Sequence, residues 1–360
     1  MITVKYHGFD NLPESYSAIF KYGGEKSYFL TKLWFDNFIT NVVSQDEKIL
    51  IYGVELNGPG NEAIAALPLK LNRKRMWVFS PRSISSLTNY YSCYFEPIIS
   101  PDANNIREIL SCLAASLWKD RDNWDSINLN PLPVTHNLFP LLIQAFSDHG
   151  MLVHSYFCFG NWYLNVAGRS YSEYFAGLSS ILRKNIPYML RKIKNSHRMR
   201  IEVYSAESDL DLPLAAYEKL YLVRWNRAEP FPNFIRGLAI QSAKNGSLRL
   251  GLLSIDDEPA AAQIWLVNQG IASIYKTAFD QRFSNLSVGT ILTAHLMQHV
   301  IDVDKVMEVD YLSGDDTYKK FWMTNRRERW GIQVFNPKSV KGIMLAIRHI
   351  GGRQLKDLLF

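Results

Sequence analysis

The chain has 360 residues, of which 47% are apolar, 21% charged and 13% aromatic. That length exceeds the usual single domain and predicts two domains of roughly 150–180 residues each. A net charge of +6 and a pI near 9.0 suit an anionic ligand, a phosphorylated cofactor or a membrane surface, and do not by themselves imply nucleic acid.

The opening stretch, MITVKYHGFDNLPE, lacks the basic-then-apolar pattern of a signal peptide. No apolar run reaches about 18 residues, so no bilayer span is expected. Residues 27–43, SYFLTKLWFDNFITNVV, read as an amphipathic helix capped by Ser27, with Phe29, Leu33, Trp34, Phe38 and Val42 at helical spacing. EKILIYGVEL and EAIAALPLKLN form a hairpin across GPGN, and residues 75–80 give another strand. The loop PRSISSLTNYYSCYFEPIIS mixes polar and aromatic residues, the make-up of a lid or a ligand-contacting loop. A helix over 101–120, a strand at WDSINLNPLP, a helix closed by Gly150 and the extended stretch MLVHSYFCFGNWYLNV come next. Residues 1–165 thus alternate helix and strand as one α/β domain. Cys93, Cys112 and Cys158 are odd in number and widely spaced, with no CxxC pair, which favours reduced thiols over a disulfide framework or a zinc site.

The pattern changes at Gly168. SYSEYFAGLSSILRKNIPYMLRKIKNSHRMR reads as two helices split near Pro187. Residues 183–200 carry seven Lys and Arg and no acid, either a solvated face or a basic wall beside an anionic ligand. After the strand IEVYS and two helices comes a meander of three strands, SLRLGLLSI, AAAQIWLVN and IASIYKTAF, whose short turns demand antiparallel pairing. The loop DQRFSNLSVG opens into the helix TILTAHLMQHVID, then the strand VMEVDYL and the turn SGDD lead to a helix at TYKKFW. WGIQVFN is a final strand, and residues 339–360 form a basic amphipathic tail helix. A domain of 166–338 is expected before that tail.

Four stretches resemble the GNAT acyltransferase superfamily: LRKNIPYMLRKIKN, GSLRLGLLSIDDEPAAAQIWL, YKTAFDQRFSNLSVGTILTAHLM and VDYLSGDDTYKKFW. The likeness is to its tandem members, which include the Fem-type peptidyltransferases and the acetyltransferase-like proteins associated with exopolysaccharide and cellulose production. It implies an α/β fold (α+β mixed sheet) of two tandem GNAT-like acyl-CoA N-acyltransferase domains, with acetyl-CoA as co-substrate, no metal and a cytoplasmic location. The chain departs from the family in having Ser287-Val288-Gly289 where proline often stands in the middle.

In such a fold two neighbouring strands splay, here 271–279 and 306–312, and the donor's pantetheine pairs with the exposed edge. Ser287 is then the helix cap that leaves the Val288, Gly289 and Thr290 amides facing a phosphate, with Gly289 allowing close approach. Lys319, on one helical face with Tyr318 and Trp322, is a further candidate for phosphate. Asp310 is either the general base or a carboxylate bonded to neighbouring backbone. Tyr275 is a candidate acid or substrate ligand. Asp280 either touches substrate or ends its strand, and Tyr90, Tyr91, Tyr94 and Trp225 are candidates to hold the acceptor. His295 and His299 have the spacing of a metal pair without an evident third ligand. The leading expectation is transfer of an acyl group from acyl-CoA to a sugar, peptide or envelope precursor. The alternatives are an aminoacyl-tRNA-dependent Fem-type transferase, with tRNA as partner, and a non-catalytic protein held at a membrane surface by its tail.

Overall fold

Runs with period two become strands in this chain and runs with period 3.6 become helices. The computed structural model describes residues 1–58, 61–72, 80–135 and 137–351. In chain order they form β1 (Ile2–Tyr6), α1 (Tyr16–Lys26), α2 (Lys32–Asn41), β2 (Glu47–Glu55), β3 (Ala63–Asn72), β4 (Ser83–Ser86), β5 (Ile98–Ile99), α3 (Ile106–Lys119), β6 (Ser126–Pro133), α4 (Leu138–Asp148) and β7 (Leu152–Asn165). The second half continues with α5 (Tyr171–Ala176), α6 (Ser180–Ser196), β8 (Met199–Tyr204), α7 (Asp211–Trp225), α8 (Pro232–Lys244), β9 (Leu248–Ile255), β10 (Glu258–Asn268), β11 (Ile271–Phe279), α9 (Val288–Gln298), β12 (Glu308–Ser313), β13 (Asn325–Phe335) and α10 (Val340–Ala346).

The chain divides into two compact units. Residues 1–36, 43–159 and those from Glu328 onward form the first, and residues 37–42 and 160–327 the second. In the first unit β1, β2, β3 and β4 pair antiparallel in that order. β4 then runs parallel to β6, and β6 antiparallel to β13. One face carries α3, whose Ile109, Leu110, Leu113 and Leu117 pack with Trp124, Ile127 and Leu129 in a closed core. In the second unit β8, β9, β10 and β11 form an antiparallel meander. Its two-residue turns, Asp256-Asp257 and Gln269-Gly270, all have positive φ, as the tight turns of twisted hairpins require. β12 lies parallel to β11 and antiparallel to β7. The crossover helix α9 buries Leu292, Leu296 and Met297 against the sheet.

Several expectations change. The strand at 328–335 belongs to the first unit, not to a domain of 166–338, because Ile332 and Val334 pair with Leu129 and Ile127 of β6 and enter that core. The helix expected over 27–43 begins at Lys32, after a short turn, and α1 precedes it. Gly23 hides α1 from a propensity reading. A Cβ there would stand 3.0 Å from the Ile98 side chain, so the glycine serves close packing. Pro187 lies inside a continuous α6, and the break falls before it, where Ser179 accepts from Leu182 N and restarts the helix. TYKKFW makes a single tight turn at Lys319–Phe321 rather than a helix. The strand expected at 75–80 lies, apart from Ser80, outside the described residues, as does the tail beyond Gly351.

Candidate functional site

β11 and β12 pair over Ile271↔Glu308, Ala272↔Val309 and Ser273↔Asp310, and then separate. Two residues on, Tyr275 is the extra residue of a bulge, since Ile264 pairs with Lys276 and Trp265 with Ile274. A bulge sharpens the local twist, which helps carry β11 away from its neighbour. β11 continues to Phe279 with its β12-side edge no longer paired to β12. The opening holds a pocket of about 380 Å³. Thr277, Ala278 and Phe279 form one wall, Gly289, Thr290 and Thr293 of α9 another, and Tyr311 of β12 a third.

The floor is polar and fully ordered by hydrogen bonds. Trp265 Nε1 donates to Gln263 Oε1 at 2.9 Å, and Gln263 Nε2 donates to Thr293 Oγ1 at 2.8 Å. Thr293 Oγ1 in turn donates to Gly289 O at 2.9 Å. The Tyr311 phenol is hydrogen-bonded to Thr293, and burial pushes it well above its ordinary value of 10.0, so it stays protonated through the physiological range. Tyr318 meets the Tyr311 ring edge-on at 5.6 Å. At the rim stand Asp316, Arg224 and Trp225. The Arg224 guanidinium lies 4.7 Å from the Phe279 ring centre and 5.1 Å from that of Trp225.

The start of α9 faces this space. Its first amides have no acceptor inside the helix and carry the positive end of its dipole. Val288 is fully buried, whereas Gly289 and Thr290 line the pocket. Ser287 is not the side-chain cap expected from sequence. It adopts left-handed φ 53° and ψ 37° and makes no cap hydrogen bond, because the turn at Gln281–Leu286 ends on it. Asp280 caps that turn instead, accepting from Arg282 N at 2.9 Å and pairing with Arg282 Nε at 2.8 Å. Its carboxylate is thereby structural and buried.

Asp310 does not line the pocket. Its Oδ1 accepts from Asn161 Nδ2 and from Leu312 N, and its Oδ2 pairs with Arg327 at 2.6 Å. Arg327 also pairs with Glu308 at 2.6 Å and donates to Asn161 Oδ1 at 2.6 Å. Successive strand residues face opposite ways, so Tyr311 takes the pocket side and Asp310 the buried ion cluster. Lys319 is likewise turned inward. It is only 4% exposed, and its Nζ donates to the Tyr311 and Ser313 carbonyls, holding the turn after β12 rather than reaching for phosphate. The half-buried phenol of Tyr275 acts electrostatically on Tyr217 and is not among the pocket-lining residues. Trp225 does line the pocket and is half exposed.

The aromatic loop belongs to the first unit. Tyr91 is buried there, Tyr90 is exposed with its ring 4.5 Å from that of Tyr91, and Tyr94 lies under the Arg329 guanidinium at 5.1 Å. Leu87 and Phe95 are fully buried, so most of the loop is core. His295 is half-buried, and burial first, then His299, lowers its basicity. Among the described residues no three His, Cys, Asp or Glu are placed to hold a metal. No helix among them is long and apolar enough to cross a membrane.

Sequence reasoning missed Tyr311, Gln263, Thr293 and Asp316. A signal existed for Gln263, a lone polar residue in the apolar run AAAQIWL. Tyr311 was overshadowed by its acidic neighbour.

Residues 180–320 match the sequence model of the GNAT acetyltransferase domain. No curated protein sequence matches the chain. Among solved structures the chain is similar to FemX, with TM-score 0.61 and 9% identity over 92% of this chain and 97% of that one. It is similar to a conserved protein of unknown function from Bacteroides thetaiotaomicron, with TM-score 0.56 and 9% identity over 92% and 100% of the two chains. A tandem GNAT protein from the clavulanic acid biosynthesis pathway gives TM-score 0.54 and 10% identity over 94% and 100%. Likeness at such identities is one of fold. Residues 180–320 carry a GNAT domain, and the chain has the mixed α/β tandem GNAT fold of Fem-like proteins.

Proposed function

We propose that this GNAT-fold acyltransferase moves an acyl group from acyl-CoA, acetyl-CoA being the simplest donor, to an amine or hydroxyl of a sugar, peptide or envelope precursor in the cytoplasm. The observation that carries the reading is the separation of β11 from β12 beyond Ser273, which opens the pocket at the start of α9. The released edge of β11 offers backbone groups to the amides of a pantetheine arm. The first turn of α9 offers N–H groups to its phosphates. Arg224 at the rim adds a cation.

Acyl transfer then asks three things of the pocket. The acceptor must sit about 3–3.5 Å from the thioester carbon. Its proton must leave, and in this reading Asp316, an exposed carboxylate at the rim 3.7 Å from Lys319 Nζ, takes it directly or through water. The departing thiolate must be protonated, and in this reading the pocket-lining Tyr311 phenol, which carries its proton at neutral pH, donates as the C–S bond breaks and is reprotonated from solvent.

Two measurements test this. Acetyl-CoA at millimolar concentration is expected to raise the melting temperature, and Tyr311→Phe to cut thiol release by about 100-fold while leaving that shift in place. If neither CoA nor acetyl-CoA moves the melting temperature, the donor assignment fails. If Tyr311→Phe turns over normally, the acid assignment fails. A second reading, transfer from aminoacyl-tRNA, is favoured by α6. Its Arg183, Lys184, Arg191, Lys192 and Lys194 have no carboxylate partner among the described residues. Under that reading charge reversal at Arg191 and Lys192 weakens tRNA binding and flattens its salt dependence.

A further inference from the structure

The C-terminal helix presents an apolar stripe to solvent. Val340, Ile343, Met344 and Ile347 are 74%, 41%, 65% and 67% exposed. Their spacing of i, i+3, i+4 and i+7 puts them on one face. Large apolar residues are normal on a surface when scattered, but four in a row along one helix form a patch.

The opposite face fixes this helix to the first unit. Gly342 and Ala346 are buried beneath it. A Cβ at Gly342 would stand 2.3 Å from Asn336 O and 2.8 Å from Asp125 O, so only a glycine lets the helix lie this close. Ser339 caps it, accepting from Gly342 N and donating to Asp125 Oδ1. Lys341 donates from the flank to Ser80 O at 3.1 Å. The helix is therefore clamped by small residues and hydrogen bonds, with its large side chains turned outward.

The charge around the stripe has one sign. Lys338, Arg348 and His349 are exposed beside it, and no acid occurs from Asn336 to Gly351. The sequence adds Arg353 and Lys356 before its next acid, Asp357. An apolar face bordered by cations matches one kind of surface, an anionic lipid interface, where the apolar side chains enter the boundary of the acyl region and the cations meet headgroup phosphates. We infer that α10 and the turn after it are an in-plane docking helix for an anionic bilayer surface. Docking of this kind is independent of acyl transfer at the second-unit pocket.

The test is co-sedimentation of the full chain with vesicles of phosphatidylcholine alone or of phosphatidylcholine with phosphatidylglycerol. The chain is expected to sediment with the anionic vesicles, less so as salt is raised. Met344→Glu and Ile347→Glu are each expected to lower partitioning about tenfold or more. Arg348→Gln is expected to lower it about fivefold on anionic vesicles and to change nothing on neutral ones. Melting temperatures report whether the variants fold, and the milder Ile343→Ser repeats the experiment. A wild-type chain that stays in the supernatant with both vesicles overturns the inference. So does a Met344→Glu chain that sediments like the wild type. A dimer by light scattering that Met344→Glu converts to a monomer, without vesicle binding, makes the stripe a self-association surface and overturns it as well.

Discussion

Among the described residues each unit has a parallel strand pair three residues long. In the first unit β4 and β6 pair through Ser83↔Ser126, Ile84↔Ile127 and Ser85↔Asn128. In the second β11 and β12 pair through Ile271, Ala272 and Ser273. Beyond the third pair the two units diverge. In the first unit Ser86 and Thr88 both donate to Asn130 O, and Phe95 N reaches Pro131 O, so hydroxyls and loop backbone occupy the opening. In the second unit the opening is the pocket. The helices after the two openings differ in the same sense. Asn105 caps α3 with its own side chain, accepting from Glu108 N, while α9 begins without a side-chain cap. One architecture thus yields a plugged splay and an open one, and in the open one the helix start has no side-chain cap and lines the pocket.

The charged clamps mark the same contrast. In the second unit the ion cluster sits at the last pair, on Asp310, and holds β12 where it leaves β11. Arg327→Ala leaves Asp310 and Glu308, two residues apart on the same strand, without their shared cation, and is expected to cost about 3–5 kcal/mol. Urea unfolding measures this. A cost below about 1 kcal/mol would mean that the cluster is no better than a surface pair and does not hold the splay.

Much of this fold was legible in the sequence. The turns DD and QG require positive φ, so the meander of β9, β10 and β11 followed from local chemistry. The start of α9 was legible too, although Ser287 was read as a side-chain cap and instead takes a left-handed backbone. The direction of individual side chains at the irregular end of β12 was not. Alternation separates Asp310 from Tyr311, but Leu312 takes φ 54° and the register to β7 slips between Asp310 and Ser313, so the count by twos stops there. Asp310 was the more reactive residue by type, yet Tyr311 holds the pocket. The return of 328–335 to the first unit was also hidden, because an apolar strand does not specify its partner. Lys319 misled for a related reason: a lysine after a helix-like motif suggests phosphate, but here its ammonium satisfies carbonyls left open by a bent strand.

Acid separates the units by a second route. In the first unit the clamp lies at the start of the parallel pair, where Asp125 accepts from Arg82 N at 2.7 Å and pairs with Arg82 Nη2 at 2.8 Å. Burial alone would push this carboxyl up, but the hydrogen bonds from Arg82 and Ser339 outweigh it and hold it at about 2, against an ordinary 3.8. A carboxyl depressed on folding stabilises the fold above its unfolded value, and the gain is lost as pH falls through the folded value. The expected loss is about 2 kcal/mol between pH 4 and pH 2, and Asp125→Asn should remove most of that slope. Unfolding followed through a first-unit probe such as Trp124 measures it. An unchanged slope in Asp125→Asn would move the acid sensitivity elsewhere.

The smallest expected effect bears most directly on the contrast between helix starts. Asn105→Ala removes a side-chain acceptor from an amide of the first turn of α3, and such a loss costs about 1 kcal/mol. Ser287→Ala removes a hydroxyl that caps nothing, and its backbone keeps the same left-handed geometry with the same Cβ, so the expected change lies within about 0.5 kcal/mol of zero. Chemical denaturation of the two variants in parallel measures the difference. Equal costs would mean that Ser287 does satisfy an α9 amide in solution. In that case one first-turn amide of α9 is already taken, as one is in α3, and the pocket has fewer left for a phosphate. A neutral Ser287→Ala beside a costly Asn105→Ala leaves the α9 amides available, which is the condition any anionic donor at this pocket requires.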